Sequence, residues 1–306
     1  MALEESNLSF LFTPKYKENT VTVGSMDIHY VASEASSTDF DETGQILWRV
    51  SKLFVLFLQK NPQLVRNRNI LELGSGTTAF GGIASLQLGA KAAICTDYQP
   101  HIVDICKQSL LLNKFHGLIN NSLQVGLLSD TLGKGSSYCH KWGDKESLME
   151  ILREEIDHEK IQLVVGCDVC VWEDSLPGLF STAVEALSYN TSAAEERKSH
   201  SLKQTHPQLV HSSGILHPSL YQHPLIIFAF ERRALRPEKK MEAIAGSYGL
   251  ERLRISAPEF VEPEILEQYP LAEFFIDIYY LPSAEPISTD EPNEAAESST
   301  SSSHES

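Results

Sequence analysis

The chain lacks any cluster of lysine and arginine. Its 25 basic residues face 41 acidic ones, for a net charge of −16 over 306 residues. Neutralising a row of phosphates takes clustered cations, so bulk DNA or RNA is not the expected partner. A lysine-bearing protein is the better electrostatic match. Long apolar runs are missing too, and no stretch approaches the ~18 to 20 residues of a membrane span. The first residues, Met1-Ala2-Leu3-Glu4-Glu5-Ser6, are acidic with no apolar segment, so no secretory leader is expected. Cysteine is scarce and odd in number. Four of the five, Cys95, Cys106, Cys167 and Cys170, sit inside apolar strand-like runs. That excludes a disulfide framework and points to buried thiols in a reducing compartment, cytosol or nucleus.

Glycine, by contrast, is concentrated where it carries information. Between Asn69 and Gly82 the chain reads Asn-Ile-Leu-Glu-Leu-Gly-Ser-Gly-Thr-Thr-Ala-Phe-Gly-Gly. The apolar run Ile70, Leu71, Leu73 ends in Gly74-Ser75-Gly76, as a buried strand does when it turns sharply into a helix. Such a turn lets backbone approach a ligand closely and leaves N–H groups at the helix start. A second apolar stretch, Ala92-Ala93-Ile94-Cys95, ends in Asp97, 21 residues past Gly76 and placed to accept hydrogen bonds from ribose hydroxyls. Gly74, Gly76 and Ala79 also satisfy the dinucleotide spacing G-x-G-x-x-G/A, so an NAD-type oxidoreductase is the first rival. Glu72 disfavours it. A carboxylate two residues before the first glycine repels a pyrophosphate and suits an ammonium or sulfonium.

Apolar periodicity outlines the rest. Val21–Val23 and Asp27–Val31 read as a hairpin within an N-terminal extension, 1–42, whose Ser33–Glu42 part is a polar connector. A helix is predicted over Gln45–Leu58, ended by Asn61-Pro62. Alternating elements follow: strand 69–73, helix 78–88, strand 92–96, helix 100–114, strand 122–128, helix 145–156, strand 161–167 and helix 174–188. Residues 190–222, rich in Ser, His, Thr, Glu and Pro, read as a disordered insertion. Beyond it come strand 225–230, helix 237–247 and the strand pair 250–256 and 273–281. The pattern predicts one α/β domain over 43–282, a Rossmann-like seven-strand sheet, parallel except for one antiparallel terminal strand, with helices on both faces. A tail from Ser283 carries six acids and no Lys or Arg, and is expected to be disordered.

The Glu-x-Gly-x-Gly run with its downstream acid resembles motif I of the seven-strand (class I) methyltransferases. Three further segments are similar to the family-16 branch, which modifies lysines, and in one branch a histidine, of other proteins. Thr43-Gly44-Gln45-Ile46-Leu47-Trp48 resembles that family's Gly-x-x-x-Trp segment. Lys141-Trp142-Gly143-Asp144 resembles its Trp-Gly-Asp/Glu segment. Phe228-Ala229-Phe230-Glu231-Arg232-Arg233 resembles its strand-five ending, where Glu231 and Arg232 would edge the substrate opening. The resemblance covers roughly residues 43–233. It implies S-adenosylmethionine as cofactor, held by Trp48, Glu72, Gly74, Gly76, Thr77, Asp97 and Trp142. It implies a lysine-bearing protein substrate, a monomeric enzyme, and Asp168 as the residue that orients the target amine. In Val165-Gly166-Cys167-Asp168-Val169-Cys170-Val171-Trp172, Asp168 matches the family's acidic-x-x-aromatic motif. Val171 stands where the aromatic belongs, with Trp172 one place later. That departure motivates an alternative, a cofactor-binding interaction protein without catalysis.

Each feature has a plainer reading. Trp48 suits the anchor of an amphipathic helix, Trp142 a turn before Gly-Asp, and Asp168 a helix cap. Cys167-x-x-Cys170 is a redox or zinc half-motif without a second pair, and no metal site is expected from it. Five histidines of the insertion, His200, His206, His211, His217 and His223, recur without helical spacing and read as a solvated linker.

Overall fold

A computed structural model describes residues 15–34, 40–115, 133–190, 209–210 and 213–281. The first element is the expected hairpin, β1 (Tyr16–Val23) and β2 (Met26–Ser33), paired antiparallel in a sheet of its own. It is not a free arm. Ile28 is fully buried in the main core, and Val31 N–H donates to Ser109 Oγ at 2.9 Å.

Next comes α1 (Arg49–Lys60), which buries Val50, Leu53, Phe54, Phe57 and Leu58. The predicted helix began four residues earlier. Instead Phe40–Gln45 forms a 3₁₀ turn, and Ile46–Trp48 is irregular. The carbonyls that would start the helix are taken elsewhere: Thr43 O accepts the Trp48 indole N–H at 2.9 Å, and Gly44 O accepts Thr77 N–H at 2.8 Å. These tertiary bonds outcompete a helical first turn, and the segment becomes a strap beside the glycine turn.

The main sheet has seven strands. Five pair in parallel: β3 (Asn69–Leu73), β4 (Ala92–Asp97), β5 (Lys134–Cys139), β6 (Leu163–Cys167) and β7 (Leu225–Glu231). Then β8 (Glu251–Ser256) and β9 (Phe274–Tyr280) complete the order β5-β4-β3-β6-β7-β9-β8. Only β9 is antiparallel, inserted between β7 and β8. The strand beside β4 is β5, not the apolar run at 122–128, which lies outside the described residues. An edge strand is covered less completely, so Lys-Gly-Ser-Ser-Tyr-Cys suffices there and leaves a weak periodic signal.

Five more helices flank the sheet among the described residues: α2 (Phe80–Gln87), α3 (Pro100–Leu112), α4 (Lys145–Ile156), α5 (Leu176–Ser188) and α6 (Leu235–Ser247), with a single further turn at Pro263–Leu266. The strands bury both faces. Ile227 and Ala229 point into the core shared with α1, α2 and the hairpin, while Ile226, Phe228 and Phe230 point into the core shared with α4, α5 and α6. Such two-sided burial explains the continuous apolar runs.

The insertion expected to be disordered over 190–222 is folded in its last part. Val210 bridges to Leu216, and Leu209, Leu216 and Leu220 are buried. Buried Asn61 holds this segment through its Nδ2 to Gly214 O at 3.0 Å, accepting from Leu216 N–H at 2.8 Å and Tyr221 OH at 3.0 Å. Four scattered apolar residues carry too little periodicity to reveal this from sequence. Residues 191–208, 211–212 and the tail from Ser283 lie outside the described part.

Candidate active site

Strand order reverses between β3 and β6, which places the C-terminal ends of these two strands side by side at the crevice where open α/β sheets bind ligands. A cavity of about 810 Å³ opens there. That volume lies within the usual range for small-molecule and cofactor sites. Its walls come from the strap before α1, the turn after β3, the ends of β4 and β6, the loop before α4, the segment running into the helix after β6, and Arg233 just after β7.

The glycine turn has a steric reason. Gly74 and Gly76 sit at φ +67° and +57°, where side chains are strained. A Cβ on Gly74 would lie 2.7 Å from Val169 Cγ1 and 3.1 Å from the Trp142 ring; on Gly76 it would lie 2.7 Å from Gly44 O. Trp142 is therefore packed over the turn as one wall of the cavity. The carboxylate of the neighbouring Asp144 does not reach into the cavity site, because Asp144 Oδ1 caps α4 through Ser147 N–H at 3.1 Å.

Glu72 is placed differently from the expectation that it faces a cation directly. It is 2% exposed, and its two oxygens accept Gly81 and Gly82 N–H, each at 2.9 Å. These are amides of the first turn of α2, the donors a phosphate would use in a dinucleotide fold. The chain's own carboxylate occupies that anion seat. Burial pushes the Glu72 carboxyl up to about 7 despite the two amide hydrogen bonds. Asp97, at the end of β4, is also buried, and its Oδ2 accepts Gly76 N–H at 3.1 Å. Burial raises its carboxyl as well.

Thr77 does not line the cavity. Its N–H holds the strap and its carbonyl accepts Ser109 Oγ at 2.6 Å; the wall is formed by its neighbour Thr78. Trp48 does line it, from the extended position just before α1. Asp168 lies at the same end in a left-handed conformation, φ +59°, with its side chain only 2% exposed. It is no helix cap: the residue before α5 is Ser175, whose Oγ bonds to Trp172 O. Instead Asp168 accepts a bidentate pair from Arg233, 2.7 Å to Oδ1 and 2.6 Å to Oδ2. The Arg233 guanidinium also lies over the Trp48 ring, 5.2 Å from its centroid. Val171 and Trp172 both line the cavity, and Trp172 is 42% exposed.

Arg233 is the residue that reading the sequence missed, where Arg232 was expected at the opening. Arg232 faces the other way, bonded to Glu238 and Glu273 and stacked on Phe275. The strand period held the signal: Glu231 and Arg233 share the side of Ala229, and Arg232 that of Phe230. Tyr98 and Gln99, which follow the acid of β4, also line the cavity without having been singled out. Cys167 and Cys170 are free thiols pushed well up by burial, unlike the low-pKa thiols of redox motifs. Among the described residues no helix is long and apolar enough to cross a membrane.

A profile of the lysine methyltransferase family matches residues 33–206, more than half of the chain, and spans every wall of this cavity except Arg233. The chain belongs to the lysine methyltransferase family. Among its relatives is the protein N-terminal and lysine N-methyltransferase EFM7 of Candida glabrata, 42% identical over 55 residues, 18% of this chain and 21% of that protein. Another is the protein-lysine N-methyltransferase EFM3 of Chaetomium thermophilum, 26% identical over 147 residues, 47% of this chain and 38% of that protein. The chain thus matches well under half the length of each of these relatives. Among solved structures, a ribosomal protein L11 methylase from Lactobacillus delbrueckii superposes with a TM-score of 0.42 at 12% identity, covering 82% of this chain and 93% of that one.

Proposed function

We propose that this chain transfers a methyl group from S-adenosylmethionine to the ε-amine of a lysine in a protein substrate. The observation that carries the reading is Glu72 seated on the amides that open α2. With the Gly81 and Gly82 amides already taken by Glu72, a pyrophosphate loses two of the donors at that helix start and meets a carboxylate there, which disfavours an NAD-type enzyme. The rest of the site fits the methyl donor. The glycine turn lets Trp142 and the strap close on it as cavity walls, Asp97 offers a buried carboxylate for hydroxyls, and Trp142 offers an aromatic face.

When bound, the cofactor supplies an electrophilic methyl on a sulfonium. What the chain's own residues do is hold and orient. Asp168, fixed by Arg233 and by a backbone bond from its N–H to Ala229 O at 2.7 Å, presents an acceptor toward an entering nitrogen. Trp48 and Val171 supply the apolar wall that excludes water beside it. Positioning of this kind supplies on the order of 7 to 11 kcal/mol when the attacking atom is held in line. Trp172, adjacent to Val171 on the same cavity, supports an intact channel despite the missing aromatic. The acidic charge supports a basic protein substrate over nucleic acid, and buried free thiols support the cytosol or nucleus.

The test is labelled methyl transfer to a lysate from cells lacking the protein, comparing wild type with Asp168→Asn. Asparagine tolerates the left-handed backbone and keeps one acceptor for Arg233, and a thermal midpoint checks that the variant is folded. Cofactor affinity should stay within about twofold and turnover should fall at least tenfold, as small misplacements at such sites cost up to ~100-fold. Equal labelling by the two proteins would remove Asp168 from the chemistry. Cofactor binding without labelling by the wild type would favour the non-catalytic alternative.

A further inference from the structure

Asp168 and Arg233 line the target end of the cavity, Glu231 and Arg49 adjoin Arg233, and the four charges cancel. Asp168 is paired to Arg233, and Glu231 accepts from Arg49 at 2.6 Å and lies 3.5 Å from Arg233. This neutrality stands out in a chain of net charge −16. Both acids are largely buried, with side chains 2% and 11% exposed. Resting on the methyltransferase reading above, we infer that Arg233 keeps the target seat electrically neutral, so that the amine enters and is held in its unprotonated, nucleophilic form.

The physical chain is short. A bare carboxylate attracts an ammonium and raises the pKa of any amine beside it, which opposes methyl transfer. A carboxylate already committed to a bidentate guanidinium exerts little net field, yet its oxygens retain lone pairs for an N–H donor. Burial then dominates, and burial favours the neutral amine. The proton is left in solvent before the nitrogen enters. Arg233 suits the task because its guanidinium stays charged at any working pH, held further up by its bond to Asp168. Its stacking on Trp48 fixes it at the cavity wall. Lys141, next to Trp142, and Tyr98, next to Asp97, also line the cavity, outside this four-charge cluster. Glu72 is tied to the α2 amides, Asp97 to Gly76, and Cys167 is kept neutral by burial. On the outer side Arg236 pairs with Glu173 and Lys240 with Asp174.

The test uses a probe rather than the unidentified substrate: an S-adenosylhomocysteine analogue with nitrogen for sulfur and an aminoethyl arm, ¹³C-labelled at the carbon bearing the primary amine. Its ¹³C shift is titrated free and bound to wild type, Arg233→Met and Arg233→Lys. In the wild-type complex the acid dissociation constant of the amine should be at least tenfold larger than in solution. Arg233→Met should make it at least tenfold smaller than in the wild-type complex, and Arg233→Lys should stay near wild type. S-adenosylhomocysteine itself should bind all three within about threefold. An unshifted amine in wild type, or one indifferent to Arg233→Met, overturns the inference. Should Arg233→Met fail to fold, Arg233→Gln takes its place, with the same tenfold decrease expected and the same indifference overturning the inference. If neither the probe nor S-adenosylhomocysteine binds wild type, the methyltransferase reading has failed instead.

Discussion

Replacing Glu72 with Gln should change how stability depends on pH more than it changes stability at any one pH. Glu72 is 2% exposed and its carboxyl is pushed by burial from 4.5 to about 7. Because the folded value is raised, the contribution is fully present below pH 4.5 and is lost as pH climbs through about 7. At 1.36 kcal/mol per tenfold in proton affinity, the difference between the two plateaus is about 3 kcal/mol. Glutamine does not titrate. It keeps one acceptor for Gly81 or Gly82 and loses the other, a cost that is constant with pH. Subtracting the variant's stability from that of the wild type removes most other titrations common to both. The difference should therefore fall by about 3 kcal/mol from pH 4.5 to 8.5, with most of the change between pH 5 and 7.5. Urea unfolding at several pH values, with the slope m held in common, reads this directly. Parallel curves for the two proteins across that range would show that Glu72 ionises normally, and the burial argument would be refuted.

Three further substitutions probe the cavity and the segment held by Asn61. Gly76→Ala places a Cβ 2.7 Å from Gly44 O at φ +57°, so it should cost about 1 to 3 kcal/mol of stability, seen as a lower thermal midpoint, and weaken the cofactor. An unchanged midpoint would mean the strap and the turn are not in contact. Asp97→Ala should weaken S-adenosylmethionine by about 1 to 3 kcal/mol in calorimetry through lost charge-assisted hydrogen bonds, and unaltered affinity would remove it from the site. Asn61→Ala leaves the Gly214 carbonyl and the Leu216 N–H without partners, so a loss of about 3 kcal/mol or more in chemical denaturation is expected. A neutral result there would mean residues 213–222 are not held by Asn61.

Much of the architecture is local information. Apolar runs with period 2 or 3.6 place β3, β4, β6, β7, α4 and α5 within two residues of where they stand, because each strand and helix must bury its own face against the others. The same holds for Gly74, Gly76 and Asp97, since a tight strand-to-helix turn and a strand-end acid are written in consecutive residues. What the tertiary structure alone decided is who partners whom. Glu72 sits on the α2 amides nine and ten residues away, Thr77 turns its backbone to the strap, and Asn61 gathers a segment over 150 residues downstream. Above all, Asp168 and Arg233 are 65 residues apart in the chain and meet only because β6 and β7 are neighbours in the sheet. Composition counts charges, and only the register of adjacent strands determines which of them cancel.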